Sequence, residues 1–239
     1  MCGRYVIYTA DDLSAMRDIV AEAERRAQEK EPGCSVKTGE IFPTDVVPVQ
    51  IAAAATDTAV AVSQALAPTP TPTPIPAPGA AAASPLAIAQ SQLEAWPMSW
   101  GFPGFKGKGV IFNARIEQAL EKPFWRESLL QRRCVVPTSG FYEWQHGGPD
   151  DKRRYHFTLP GEPVLYLAGI YKAFDDEHQP THHRCPRQRF SILTTAPNAS
   201  VRDIHNRMPV VLRGHELEEW LQGDPLAFAD RSAVLLERA

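Results

Sequence analysis

Cysteine is scarce and charge is balanced in this chain of 239 residues. The four cysteines, Cys2, Cys34, Cys134 and Cys185, are too few and too far apart for a disulfide scaffold. None forms a C-x-x-C pair of the kind that holds zinc or runs redox chemistry. A reducing, cytoplasmic setting is therefore expected. Lys and Arg number 25 against 28 Asp and Glu, a net charge of -3. That balance excludes a polybasic, histone-like binder but leaves a local basic cleft open. No run of about 18 apolar residues exists. The opening Met1-Cys2-Gly3-Arg4-Tyr5 lacks the charged, apolar and small-residue regions of a secretory signal. Neither export nor a membrane partner is expected.

Proline is the residue in excess, 22 in all, seven of them between Pro68 and Pro85. Alternating Pro and Thr fixes φ and removes backbone donors, so this stretch reads as an extended, solvated spacer. Residues from about 63 to 92 are expected to form a disordered loop inside a domain, because core-forming sequence resumes on both sides. A proline-rich ligand for a partner domain would want flanking basic residues, which are missing.

Hydrophobic residues at 44% and charged residues at 22% match a globular domain with a real core. Residues 2–8 read as a strand, and Thr9 to Asp12 resembles a capping box. Leu13, Met16, Val20, Ala23 and Ala27 follow at helical spacing until Pro32-Gly33. Strands are predicted at 46–51, 59–62, 98–102, 133–136, 141–145, 155–159, 164–171 and 190–195, from β-branched and aromatic residues between turn signals. Helical patterns are fewer, at 117–121, 125–131, 216–221 and 227–237. Many short strands with few helices imply an α+β fold. The expectation is a single domain over residues 1–239 with a curved or barrel-like, mainly antiparallel β-sheet core and peripheral helices.

Cys2 is the most informative residue. Removal of Met1 would leave an amine, with a reference pKa of about 8, and a thiol, about 8.5, on one terminal residue. Such a 1,2-aminothiol condenses with an aldehyde to a Schiff base, and sulfur then closes a thiazolidine ring. Taken alone, Cys2 reads more simply as a small buried residue beside the start. Asn113 and Arg115 sit two apart at a strand-to-helix transition and can face an anion such as phosphate. Glu143 lies between aromatics in Gly140-Phe141-Tyr142-Glu143-Trp144, and His205 lies in the loop from Asp203 to Pro209. Spacing alone does not bring these groups together.

Six blocks carry a resemblance. They are Met1 to Tyr5; Gly39-Glu40-Ile41-Phe42-Pro43-Thr44; Pro97-Met98-Ser99-Trp100-Gly101-Phe102; Phe112-Asn113-Ala114-Arg115; Arg133 to Pro137 running on through Gly140 to Trp144; and Asp203 to Pro209. In this order they resemble the SOS-response-associated peptidase family, which includes abasic-site processing proteins. The resemblance covers nearly the whole chain apart from the Pro/Thr/Ala loop. It implies that Cys2 becomes the mature N-terminus and forms a thiazolidine crosslink with abasic sites in single-stranded DNA. It also implies that Glu143 and His205 are catalytic, that Asn113 positions the terminal Cys, and that Arg4 and Arg115 contact phosphate. Pro43, Trp100, Trp144 and Arg207 complete the expected DNA-binding set, with Arg126 and Phe102 as further candidates. No cofactor and no metal are expected, His182, His183 and Cys185 reading as a surface loop, and the protein is expected to be a monomer. Two other classes stay open: a thiol (auto)peptidase built from Cys2, His205 and Glu143, and a non-catalytic reader of modified DNA.

Overall fold

A computed structural model describes residues 3–8, 14–30, 33–53, 93–104, 108–148, 151–174 and 187–239. The expected capping box, the strand at 59–62, the Pro/Thr/Ala loop, and Cys2, His182, His183 and Cys185 lie outside the described residues.

Fifteen strands are described. They are β1 (Arg4–Ile7), β2 (Gly39–Ile41), β3 (Val46–Ala52), β4 (Leu93–Trp100), β5 (Phe102–Pro103), β6 (Val110–Ile111), β7 (Asn113–Arg115) and β8 (Arg133–Thr138). They continue with β9 (Gly140–Gly148), β10 (Asp151–Thr158), β11 (Leu165–Ala173), β12 (Gln188–Thr195), β13 (Met208–Pro209), β14 (Val211–Leu212) and β15 (Glu237–Arg238). Strand β12 pairs with β4, β4 with β3, β3 with β8, β8 with β11, and β11 returns to β12. Five strands thus close into a barrel in which the β4–β12 pair is parallel and the others antiparallel. Closure leaves these strands without free edges. A separate antiparallel sheet, in the order β15, β10, β9, β1, β2, packs against the barrel. The α+β, barrel-like expectation therefore holds.

Alternation along the barrel strands divides their side chains between two cores. Leu165 and Leu167 of β11, with Cys134 and Val136 of β8, join Tyr5, Ile7, Phe141 and Phe157 of the outer sheet. The intervening Tyr166, Ala168 and Val135 instead meet the helices Ile116–Ala119, Pro123–Gln131 and Leu217–Gln222. The first long helix, Ser14–Lys30, buries Met16, Ala23 and Ala27 of the expected stripe, together with Ile19, while Val20 is half-buried.

Three expectations are corrected. Strand β4 starts at Leu93, and Gly101 separates it from β5. Gly101 has φ +115, and a Cβ there would stand 2.9 Å from Cβ of Val110. The helix expected at 227–237 is not formed. Asp224 caps a 3-10 turn at Pro225–Phe228, a further turn closes from Arg231 to Val234, and the chain then runs extended, with Val234 and Leu236 buried and Leu235 exposed between them. Its polar backbone is satisfied from outside, Asn198 Nδ2 donating to the Val234 carbonyl (2.5 Å) and the Leu236 amide donating to Ser200 Oγ (2.9 Å). A period of two thus replaces a period of 3.6.

Trp100 and Phe102, expected as stacking surfaces for bases, are fully buried. Trp100 lies between Tyr5 and Phe190, with ring centroids at 5.0 and 6.3 Å, and its indole N–H donates to the Phe112 carbonyl at 2.9 Å. With its large apolar surface covered and its one donor satisfied, it is a core residue with no face to offer a base. Trp100→Ala is accordingly expected to cost about 3–5 kcal/mol of stability, seen as a lower urea midpoint with an unchanged slope.

Candidate active site

Three segments build the site, and each is held by backbone pairing. Strand β9 carries Glu143. Its neighbour β1 lies antiparallel, with Arg4 opposite Tyr142, the residue before Glu143. Gly140 starts β9 where His156 presses on the backbone, since a Cβ there would stand 2.1 Å from His156 Nε2. Strand β7 carries Asn113 and Arg115 and runs parallel to β12, with Asn113 beside Ile192 and Arg115 beside Thr194. His205 sits in the turn before β13, which pairs with the same end of β12.

Side-chain bonds pull the three segments together. Gln145 Nε2, on the same face of β9 as Glu143, donates to the Asp203 carbonyl at 3.0 Å, two residues before His205. Arg207 grips Glu117 through two bonds of 2.8 Å and also reaches the Thr194 carbonyl, tying the His205 turn to the end of β7. Burial works to raise the Glu117 carboxyl, but the bonds from Arg207 outweigh it and hold the pKa below its ordinary value. Arg207, expected at a DNA phosphate, is thus engaged inside the protein, its side chain 14% exposed.

Glu143 is 2% exposed. Burial drives its pKa from 4.5 up to about 7, against the positive charge of the amino terminus and a hydrogen bond from the Trp144 backbone. A carboxyl poised near neutrality can both accept and return a proton. His205 is half-buried, and its Nδ1 accepts the Arg207 amide N–H at 3.0 Å. The Arg207 carbonyl lies 3.1 Å from the same Nδ1, so the Arg207 backbone holds the ring from both its amide and its carbonyl. Asn113 is buried and Arg115 exposed. Cys2, the centre of the sequence expectation, lies outside the described residues.

Arg4 and Trp144 occupy the opposite face of the outer sheet. The Arg4 guanidinium lies over Phe42 (4.3 Å to the ring centroid) and Trp144 (4.9 Å) and pairs with Glu40 at 3.2 Å. Arg154, opposite Trp144 in the β9–β10 register, also bonds Glu40 at 2.7 Å and covers Tyr142 at 4.6 Å. Pro43 sits in the adjoining turn, closed by the Asp45 amide donating to the Phe42 carbonyl. Thr44 there has φ 83, a left-handed conformation that β-branched residues resist at a cost of about 1–3 kcal/mol. The Thr44 amide bond to the Trp100 carbonyl at 2.7 Å and the Asp45 carboxylate bond to the Phe42 amide at 2.7 Å keep it there. Arg126 is an exposed residue of the helix Pro123–Gln131. Sequence reading missed Gln145, Phe42 and Arg154. Gln145 was accessible in principle through its two-residue spacing from Glu143. Arg154 depends on a cross-strand register that no local pattern encodes.

A family model described as SOS response associated peptidase (SRAP) matches residues 1–238. The chain belongs to the SRAP family. Among SRAP relatives, the Bacillus subtilis abasic site processing protein YoaM is 36% identical over 129 residues, 52% of this chain and 55% of that protein. The Escherichia coli abasic site processing protein YedK is 28% identical over 142 residues, 57% and 59% of the two chains. The Gallus gallus abasic site processing protein HMCES is 32% identical over 129 residues, 46% and 37% of the two chains. This SRAP chain thus spans about half the length of the first bacterial relatives it matches. Two solved structures from Bordetella bronchiseptica share the fold. One is 16% identical at a TM-score of 0.57, over 100% of this chain and 98% of that one. The other, a phage-related protein, is 18% identical at 0.55, over 100% and 93%. Among the described residues no group of side chains is arranged to hold a metal ion, and no helix is long and apolar enough to cross a membrane.

The raised Glu143 pKa has a consequence for stability. A carboxyl shifted upward on folding stabilises the fold while protonated, fully below pH 4.5, and that contribution is lost as pH climbs through about 7. Glu143→Gln keeps a neutral group in place. Its melting temperature should match wild type at pH 5 and exceed it at pH 8.5, with a stability difference on the order of 3 kcal/mol.

Proposed function

We propose that this protein recognises abasic sites in single-stranded DNA and captures them covalently through Cys2 once Met1 has been removed. The observation that carries the reading is the buried Glu143 carboxyl with its pKa near 7, on the strand beside the chain's first strand. The names of the SRAP relatives, all abasic site processing proteins, support the substrate class.

The chemistry needs no cofactor. The terminal amine adds to the ring-opened aldehyde carbon, and the carbinolamine loses water to give an iminium. The Cys2 thiol gives up its proton to water as its sulfur adds to the same carbon and closes a thiazolidine, so the product is the sum of the neutral reactants less one water. Near neutral pH, Glu143 takes the proton that frees the amine and returns one to the departing water. His205 donates a proton to the sugar oxygen as the ring opens. Asn113 orients the terminal residue. Arg115 and Arg4 neutralise phosphates, and Trp144 offers a stacking surface that reads no particular base. An abasic nucleotide has no base to unstack, so seating it is cheap.

A thiol peptidase built from the same Cys2, Glu143 and His205, or a non-catalytic DNA reader, makes different predictions. Incubated with a single-stranded oligonucleotide bearing one abasic site, the protein should gain the oligonucleotide mass less one water and survive denaturing electrophoresis. Cys2→Ala, or an N-terminal extension that keeps the thiol, should form no adduct. Absence of the adduct from protein with a confirmed Cys terminus would remove the proposal. Glu143→Gln should slow adduct formation by roughly 10²–10⁴-fold, the usual contribution of a proton-transferring group, with little change in reversible DNA binding.

A further inference from the structure

We propose that Gln145 is a positioning residue that sets the imidazole of His205 against the strand carrying Glu143. The inference rests on the reading of Glu143 and His205 as partners in the proposed chemistry, but its geometry stands apart from that reading. Both ends of the Gln145 amide are engaged. Its NH₂ group donates to the Asp203 carbonyl at 3.0 Å, and its oxygen accepts the Tyr155 hydroxyl at 3.3 Å. These two bonds together fix which way the amide faces, since a carbonyl can only accept.

Asp203 is held from its other side. Arg238 of β15 donates to its carboxylate at 2.6 Å, and the same guanidinium lies 5.7 Å from the centroid of the Tyr155 ring. Strand β15 itself is pinned to the sheet, Arg238 opposite Phe157 and the Ala239 and His156 backbones exchanging bonds of 2.9 and 3.0 Å. A closed circuit results, running from β9 through Gln145 to the turn at Asp203, through Arg238 to β15, and back to β10 through Tyr155. The turn it grips continues through Ile204, 7% exposed, to His205. On its far side Arg207 holds the same turn to Glu117. The turn carrying His205 is therefore braced at once from β9, through Gln145, and from the helix that follows β7, through Glu117.

Two readouts separate positioning from bulk stability. By ¹⁵N NMR of the histidine rings, wild type should show His205 held in one tautomer, its Nδ1 facing the Arg207 amide and carbonyl. Gln145→Ala should move His205 toward the mixture of tautomers seen in free imidazole, while the other histidines keep their shifts. Gln145→Glu keeps the volume and the Tyr155 bond but loses the donor, so it should behave like Gln145→Ala even where the alanine variant folds poorly. Tyr155→Phe should fall between. An unchanged His205 signature in both Gln145 variants overturns the proposal, whatever the protein does to DNA. In adduct kinetics, Gln145→Ala should cost roughly 10-fold or more in rate, by loss of alignment, with reversible binding to an unreactive tetrahydrofuran oligonucleotide unchanged. It should cost nothing further in a His205→Ala background. Equal losses in both backgrounds mean that Gln145 does not act through His205. A wild-type protein that forms no adduct, yet shows the expected NMR response, refutes the covalent reading and leaves the positioning role intact.

Discussion

The insertion of β1 between β9 and β2 is the constraint on which the candidate site rests. Four residues, Arg4–Ile7, join strands separated from them by more than a hundred residues on one side. Tyr5 and Ile7 drive into the shared core, while the carbonyl of Val6 is bonded both by the Ser139 amide at 2.9 Å and by the Thr138 hydroxyl at 2.6 Å. Burial supplies most of the favourable free energy of such a strand, and the backbone bonds fix its register. Because the register puts Arg4 against Tyr142, the start of the described chain is brought to the one carboxyl on β9 that burial has pushed toward neutrality.

Two sides of a single sheet consequently serve two purposes. Toward the barrel, a buried carboxyl sits where water is excluded, and its charged form is penalised by desolvation. Away from it, Arg4 and Arg154 share the Glu40 carboxylate and lie over Trp144, Phe42 and Tyr142. A guanidinium stacked on rings stays planar and oriented even while paired. This local arrangement concentrates positive charge on one face of a chain whose net charge is -3.

Much of the architecture was legible from order alone. The stripe Met16, Ala23 and Ala27 announced the first long helix, and the β-branched and aromatic runs announced β3, β8, β9, β10, β11 and β12. The misses share a cause. Strands as short as β2, β7, β13 and β15 carry too few residues for a period to show, and they exist because a neighbour already in place offers backbone partners. The tail after Phe228 was misread because Val234, Leu235 and Leu236 fit a helical spacing as readily as an alternating one. Contacts from Asn198 and Ser200 decided between them.

The site divides along the same line. Glu143, His205, Asn113 and Arg4 became candidates through the family resemblance, which their chemistry suits, because a side chain's capacity to move a proton or hold a phosphate travels with the residue. Trp100 was misplaced because an indole's chemistry is the same whether it packs in a core or stacks on a base; only its burial between Tyr5 and Phe190 distinguishes the two. Likewise, nothing local marks Glu143 for a pKa near 7, Arg207 for a partner in Glu117, or Gln145 for a bond to Asp203. Those properties belong to pairs of residues far apart in the chain, and they come into being only when strand register and barrel closure bring the pairs within reach.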